Sequence, residues 1–116
     1  MIKEFSNHIR LQPVRQEVTD AADLMTLEPF TLDIQPESDD DGTYWKVSKV
    51  FTVETPSAVI LRQFRTMTSC IVYVFDHTGS SYQIGSEDIP ARAIVSVYLN
   101  SASLTIEAEM IANPIG

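Results

Sequence analysis

The sequence predicts an α+β domain in which a mostly antiparallel sheet, sandwich-like and of about six to seven strands, carries one α-helix on a face. Three observations predict this class. β-Branched and aromatic residues fill several short runs, the last of these runs alternates strictly between apolar and polar residues, and one central segment has the spacing of an amphipathic helix. The length of 116 residues fits a single domain spanning 1–116, and a hydrophobic content of 44% suffices for a core.

The C-terminal third shows the clearest strand pattern. Apolar runs occupy residues 70–75, 82–84, 93–99 and 104–110, separated by a turn at 76–80 and a loop that contains Pro90. In the last run one face carries Leu104, Ile106, Ala108 and Met110, and the other carries Thr105, Glu107 and Glu109. A period of two with one apolar face predicts a strand with one face buried and the other exposed to solvent.

In the N-terminal half the sequence predicts a hairpin between residues 30–34 and 43–53, with residues 36–42 as its turn. On the return strand the apolar face carries Trp45, Val47, Phe51 and Val53. Residues 8–14 alternate weakly, and Pro13 removes a donor, which predicts an edge strand or an extended arm. The whole arm, 1–28, is expected to be extended or loosely ordered, with one helical turn within 17–28.

A single helix is predicted over residues 56–66. Thr55 is a suitable N-cap, and Pro56 would occupy the first helical position, where its missing N–H costs nothing. Apolar residues then recur at helical spacing, with Ile60 and Phe64 as the expected anchors on the sheet and Arg62 on the solvent side.

The formal net charge of -8 disfavours binding to a phosphate backbone, so no nucleic-acid partner is expected. Acidic residues are concentrated between Glu17 and Asp41, a stretch without Lys or Arg. This stretch is interpreted either as a solvated segment with an acidic hairpin tip or as a patch for a basic partner. No apolar run is long enough for a membrane span and no secretory signal is visible, which predicts a cytoplasmic protein or one in an assembled virion.

Two motifs could suggest metal or thiol chemistry, and each has a simpler interpretation. Residues 37–42 place acids before a glycine as in a calcium loop, but the position six residues beyond that glycine is Ser48 instead of Glu. This favours a hairpin tip. Cys70 could pair with His77 or His8 as nucleophile and base, yet Cys70 opens an apolar strand, which favours a buried structural role.

The remaining candidates are carboxylates and tyrosines. Glu87 and Asp88 lie beside Pro90 without a matched second pair, so a hydrolytic role is not expected. Tyr44, Tyr73, Tyr82 and Tyr98 are interpreted as core or half-buried residues, with an exposed contact surface as the alternative. The sequence therefore predicts no catalytic, cofactor-binding or metal site, and no enzyme.

Several turn and strand patterns resemble small β-rich virion proteins that prophages of gut bacteria encode. The resemblance covers residues 41–45, the run 70–85 with its Asp76–Gly79 turn and Tyr82-Gln83-Ile84-Gly85 return, and residues 90–92. It implies a non-enzymatic structural subunit of a phage tail or head–tail connector, working as a homo-oligomer or with other virion proteins. The alternative function is a small acidic binding or regulatory adaptor.

Overall fold

The computed structural model describes residues 4–14, 21–32, 34–39 and 42–110. Within these ranges the chain forms one helix and ten strands, so the predicted α+β class with a mostly antiparallel sheet is confirmed. The elements are β1 (Glu4–Phe5), β2 (His8–Pro13), β3 (Ala22–Met25), β4 (Phe30–Thr31), β5 (Gln35–Asp39), β6 (Gly42–Val53), α1 (Ala58–Gln63), β7 (Thr68–Phe75), β8 (Ser81–Ile84), β9 (Ala91–Val97) and β10 (Ala102–Met110).

The main sheet curls until its two sides meet. Its strand order is β3-β2-β7-β9-β10-β6-β5, and every pairing is antiparallel. The strand β8 pairs with the C-terminal half of β7. Thr26, directly after β3, forms a bridge with Val53 at the end of β6. Two backbone hydrogen bonds flank this bridge, from Leu27 N to Thr52 O at 3.3 Å and from Glu54 N to Met25 O at 2.8 Å. The sheet is therefore a partly closed barrel.

One apolar core fills the inside of the curled sheet. The alternating residues of the long strands point inward, as the sequence predicted for Leu104, Ile106 and Ala108, and all three are buried. The small sheet of β1 and β4 adds Phe5 and Phe30, whose rings stack with centroids 5.6 Å apart. At about 25 cal/mol per Å² of apolar surface, this burial is the main stabilising contribution to the fold.

The helix is shorter than predicted and begins later. Its N-cap is Ser57, whose hydroxyl accepts a hydrogen bond from Ile60 N at 3.4 Å, so Pro56 precedes the cap. The helix ends at Gln63, and Phe64 is the C-cap with a fully buried side chain, while Ile60 is partly buried against the core. The predicted anchors are thus confirmed, and Arg62 is exposed as predicted.

The predicted hairpin has a different first strand. Residues 30–31 pair with β1, and the partner of β6 is β5, in register from Gln35–Lys46 to Asp39–Gly42. Most of the predicted turn is therefore strand. Pro36 is compatible with this position because β5 is an edge strand, where a missing donor costs little.

The predicted N-terminal edge strand is wrong, because β2 lies between β3 and β7. Pro13 ends its pairing with β7, opposite Cys70. Residues 22–25, within the expected helical turn, form a strand because Ala22 and Leu24 alternate with polar or exposed neighbours. The final strand β10 is also interior, between β9 and β6, so neither β2 nor β10 is an edge strand of the main sheet. In the part of the chain that the structure describes, no helix is long and apolar enough to cross a membrane.

Candidate functional site

The hairpin that joins β9 to β10 presents an exposed apolar tip. Val97 pairs with Ala102, and Tyr98 N donates a hydrogen bond to Ser101 O at 2.8 Å, which closes a tight turn. Leu99 at the apex is 95% exposed, and Val97 and Tyr98 are more than half exposed. Residues 97–101 are called the hairpin tip below. Adjoining exposed apolar side chains are a mark of interaction surfaces.

The hairpin tip is also uncharged. No Asp, Glu, Lys or Arg occurs from Ala93 to Ile106, the longest uncharged stretch of a sequence whose formal net charge is -8. Two copies of this acidic protein repel each other electrostatically, and the repulsion is weakest between surfaces without carboxylates. A contact between copies is therefore least opposed at this hairpin.

Two further exposed apolar residues lie on segments that are hydrogen-bonded to the strands of this sheet. Val53 pairs with Ala102 and also bridges Thr26, and Leu27, directly after this bridge, is 61% exposed. The helix is joined to β9, because Val95 N donates to Phe64 O at 2.9 Å. Its Val59 is 65% exposed.

An open cleft of about 540 Å³ lies between residues 26–31 and residues 49–52 of β6. Phe30 and Phe51 lie in its lining, with ring centroids 4.9 Å apart in an edge-to-face arrangement. Leu27 and Val50 are exposed on its rim. The Lys49 ammonium donates to the Thr31 carbonyl and lies 5.4 Å from the Phe51 ring centroid. The cleft therefore combines apolar walls with one cation, Lys49, and one anion, Glu28.

A cluster of charged residues lies on the outer face of β2 and β3. Asp23 Oδ1 is 2.7 Å from His8 Nε2 and accepts a hydrogen bond from Arg10 Nε at 2.8 Å. Burial alone would raise the pKa of Asp23, but the contacts with Arg10 and His8 outweigh it and lower the pKa. The His8 ring stacks on Phe75 at 4.6 Å. Such surface ion pairs contribute about 0–1 kcal/mol each to stability. This cluster therefore has a structural role in joining β2 and β3.

The two histidines proposed as bases for Cys70 have other partners. His8 contacts Asp23, and His77 Nε2 is 2.9 Å from Glu4 Oε1. Cys70 is fully buried in the core, and this burial raises the pKa of its thiol to about 12. A thiol so protonated is a poor nucleophile, which agrees with the structural role predicted for Cys70.

Residue Asp76 organises the turn between β7 and β8. Its Oδ1 accepts hydrogen bonds from the Thr78 hydroxyl at 2.6 Å, from Thr78 N at 2.9 Å and from Ser80 N at 3.0 Å. The Tyr82 hydroxyl donates to Oδ2 at 3.2 Å. These bonds, led by the Thr78 hydroxyl, lower the pKa of Asp76 to about 2. The turn interpretation of residues 76–79 is confirmed, and Gly79 has the positive φ that it requires.

The other predicted candidates are dispersed. Glu87 and Asp88 are exposed in the loop between β8 and β9. In the calcium-like segment 37–42, Glu37 and Asp39 lie on β5, paired with Tyr44 and Gly42 of β6, and Asp40 and Asp41 lie outside the described residues. Among the described residues no group of three or more metal-ligating side chains occurs. Three of the tyrosines are half-buried, and Tyr98 is exposed.

Sequence reasoning assigned Leu99 to the end of a strand and missed the hairpin tip. The available signals were Asn100-Ser101, a polar pair typical of a turn, and the absence of charge around it. The cleft had no comparable signal, because it forms where the two sides of the curled sheet meet. Comparison of the chain with known protein families, with curated proteins and with solved structures finds no match.

Proposed function

We propose that this protein is a non-enzymatic structural subunit that assembles with copies of itself, of the kind found in phage tails or head–tail connectors. The observation that carries the proposal is the uncharged hairpin tip with Leu99 at its apex. Exposure of an apolar side chain to water is unfavourable. Burial against a neighbouring molecule contributes about 1.5–3 kcal/mol to binding for each fully covered large side chain.

The tip alone is too small for a stable contact. A specific interface buries more than about 1,000 Å² in total, so the contact must extend to surrounding surface. Leu27 and Val59 are also exposed and supply further apolar area. The resemblance to prophage virion proteins supports the same class of function, since such subunits work as rings or other homo-oligomers.

The test is sedimentation velocity on the full chain and on Leu99→Ser over a range of protein concentrations. The unchanged chain is expected to form a concentration-dependent oligomer, and Leu99→Ser should shift the association constant toward monomer by at least about tenfold, since losing 1.4 kcal/mol per contact corresponds to that factor. Ile89→Ser is the matched control, because Ile89 is also an exposed apolar residue but lies in the β8–β9 loop.

Two results would contradict the proposal. One is a chain that is monomeric at high micromolar concentration, and the other is an oligomer that Leu99→Ser and Ile89→Ser affect equally. A monomer that captures a basic protein would favour the adaptor function instead.

A further inference from the structure

We propose that the cleft between residues 26–31 and β6 receives the hairpin tip of a second copy of this chain. This inference rests on the proposed self-assembly and adds the surface on which the tip docks. The resulting contact joins two different surfaces, the tip of one molecule and the cleft of the next.

The cleft exists because β6 lacks a continuous partner along one edge. Pairing with β5 ends at Lys46, and the other side of the sheet meets β6 at the Thr26–Val53 bridge and at the hydrogen bond from Leu27 N to Thr52 O. Between these points the described residues form no strand pairing on this edge of β6, and the cleft occupies the gap. A segment of a second molecule can therefore enter beside Lys49 and Val50.

Backbone groups of β6 face this gap. Thr52 O accepts from Leu27 N and Glu54 N donates to Met25 O, so these two residues direct their polar backbone groups toward the cleft side. In an antiparallel strand alternate residues direct both groups to the same edge, which places the N–H and C=O of Val50 on that edge as well. Within the described ranges the only strand partner of Val50 is Thr105, on the other edge. An unpaired strand edge is a template for pairing with another chain.

The chemistry of the lining matches the tip. The rim side chains of Leu27 and Val50 are apolar and more than half exposed, and the charged residues of the lining are one of each sign, Glu28 and Lys49. An uncharged apolar segment enters such a cleft without bringing another carboxylate to Glu28. The tip is the uncharged apolar segment that the described surface presents most openly.

The tip that enters must come from another molecule. The hairpin of the same chain continues into β10, which pairs along the opposite edge of β6 and occupies it from Trp45 to Val53. The cleft lies on the other edge, so the β6 strand separates a chain's own tip from its own cleft.

Site-specific crosslinking tests this arrangement. Leu99→Cys and Val50→Cys are prepared as separate full-length proteins, mixed, and treated with a short bismaleimide. Both positions are exposed, so both variants should fold, and circular dichroism checks that they do. The native Cys70 should not react, because it is fully buried. Ser81→Cys, exposed on β8 and outside the cleft lining, replaces Val50→Cys in the matched control mixture.

The proposal predicts a covalent dimer of Leu99→Cys with Val50→Cys, formed several-fold more than in the Ser81→Cys mixture. If sedimentation shows an oligomer but Leu99→Cys crosslinks only to itself, the tips contact each other, so the docking inference is wrong while the proposed function stands. If an oligomer is present and no Leu99→Cys crosslink exceeds the control, both the docking inference and a contact through the tip are overturned. If the chain is monomeric, the proposed function fails, and the inference fails with it.

Discussion

Gly85 lies where two segments of backbone approach closely. Its φ is +84°, and an added Cβ would lie 2.5 Å from Ala91 N, at the point where the β8–β9 loop returns to the sheet. We expect Gly85→Ala to lower the free energy of unfolding by more than about 2 kcal/mol, since backbone strain and a clash with main chain act together. Urea denaturation measures this loss.

Gly79 provides the matched control for this prediction. It has a similar φ of +90°, but nothing lies within 4 Å of an added Cβ. Gly79→Ala should therefore cost only the conformational strain, about 1–2 kcal/mol. Equal losses at the two positions would show that the close approach of Gly85 to Ala91 has no energetic consequence.

Asp76 makes stability depend on acidic pH. Its hydrogen bonds, that from the Thr78 hydroxyl above all, hold the pKa at about 2, below the ordinary value of 3.8. Because the folded pKa is the lower one, the unfolded chain binds the proton first as pH falls. The stabilisation is present above about pH 4 and is lost progressively as pH falls toward 2.

The variant Asp76→Asn should therefore have a shallower loss of stability between pH 4 and pH 2 than the unchanged chain. Urea denaturation at several pH values in this range measures the difference. Thr78→Ala, which removes the shortest of the hydrogen bonds, should reproduce part of the effect. Parallel pH profiles for all three proteins would contradict the assigned role of Asp76.

At the scale of the element, the helix depends on one side chain. Phe64 is fully buried at the helix C-cap, whereas Arg62, two residues earlier, is exposed and its contact with Ala58 O is long, at 3.5 Å. Phe64→Ala should lower the free energy of unfolding by about 3–5 kcal/mol, and Arg62→Ala by less than about 0.5 kcal/mol. Equal melting temperatures for the two variants would show that the helix does not pack through Phe64.

Elements with a strong local period were predictable from sequence. The strand β10 alternates between apolar and polar residues over its whole length, and the apolar face of β6 was assigned correctly from Val47, Phe51 and Val53. The helix was predicted over residues 56–66 and spans Ala58–Gln63, so both bounds were wrong. At its N-terminus the sequence offers two acceptable caps, Thr55 and Ser57, and local pattern does not distinguish them.

Pairing partners were harder to predict than the elements themselves. Residues 30–31 pair with β1 because Phe30 stacks on Phe5, a contact between segments distant in sequence. The interior place of β2 depends on Val72 and Val74 of β7, which lie far along the chain. Pairings between segments distant in sequence leave no periodic pattern in the sequence. The cleft could not be predicted because it forms between two such segments.

At the scale of the whole molecule, charge and shape together restrict how copies can meet. A curled sheet leaves few free strand edges, and a net charge of -8 opposes most contacts between copies. The hairpin tip is exposed and carries no charge, so neither the lack of free edges nor charge repulsion prevents a contact there. Assembly through this tip should also respond to salt.

The most direct measurement is the association constant of the full chain by sedimentation equilibrium at increasing sodium chloride concentration. Salt screens the repulsion between the acidic molecules and leaves the apolar contact intact, since the Debye length falls from about 30 Å at 0.01 M to about 3 Å at 1 M. Association should strengthen with salt, and Leu99→Ser should remove this association at every salt concentration. Association that weakens with salt, or a monomer throughout, would show that the uncharged apolar tip does not join the molecules.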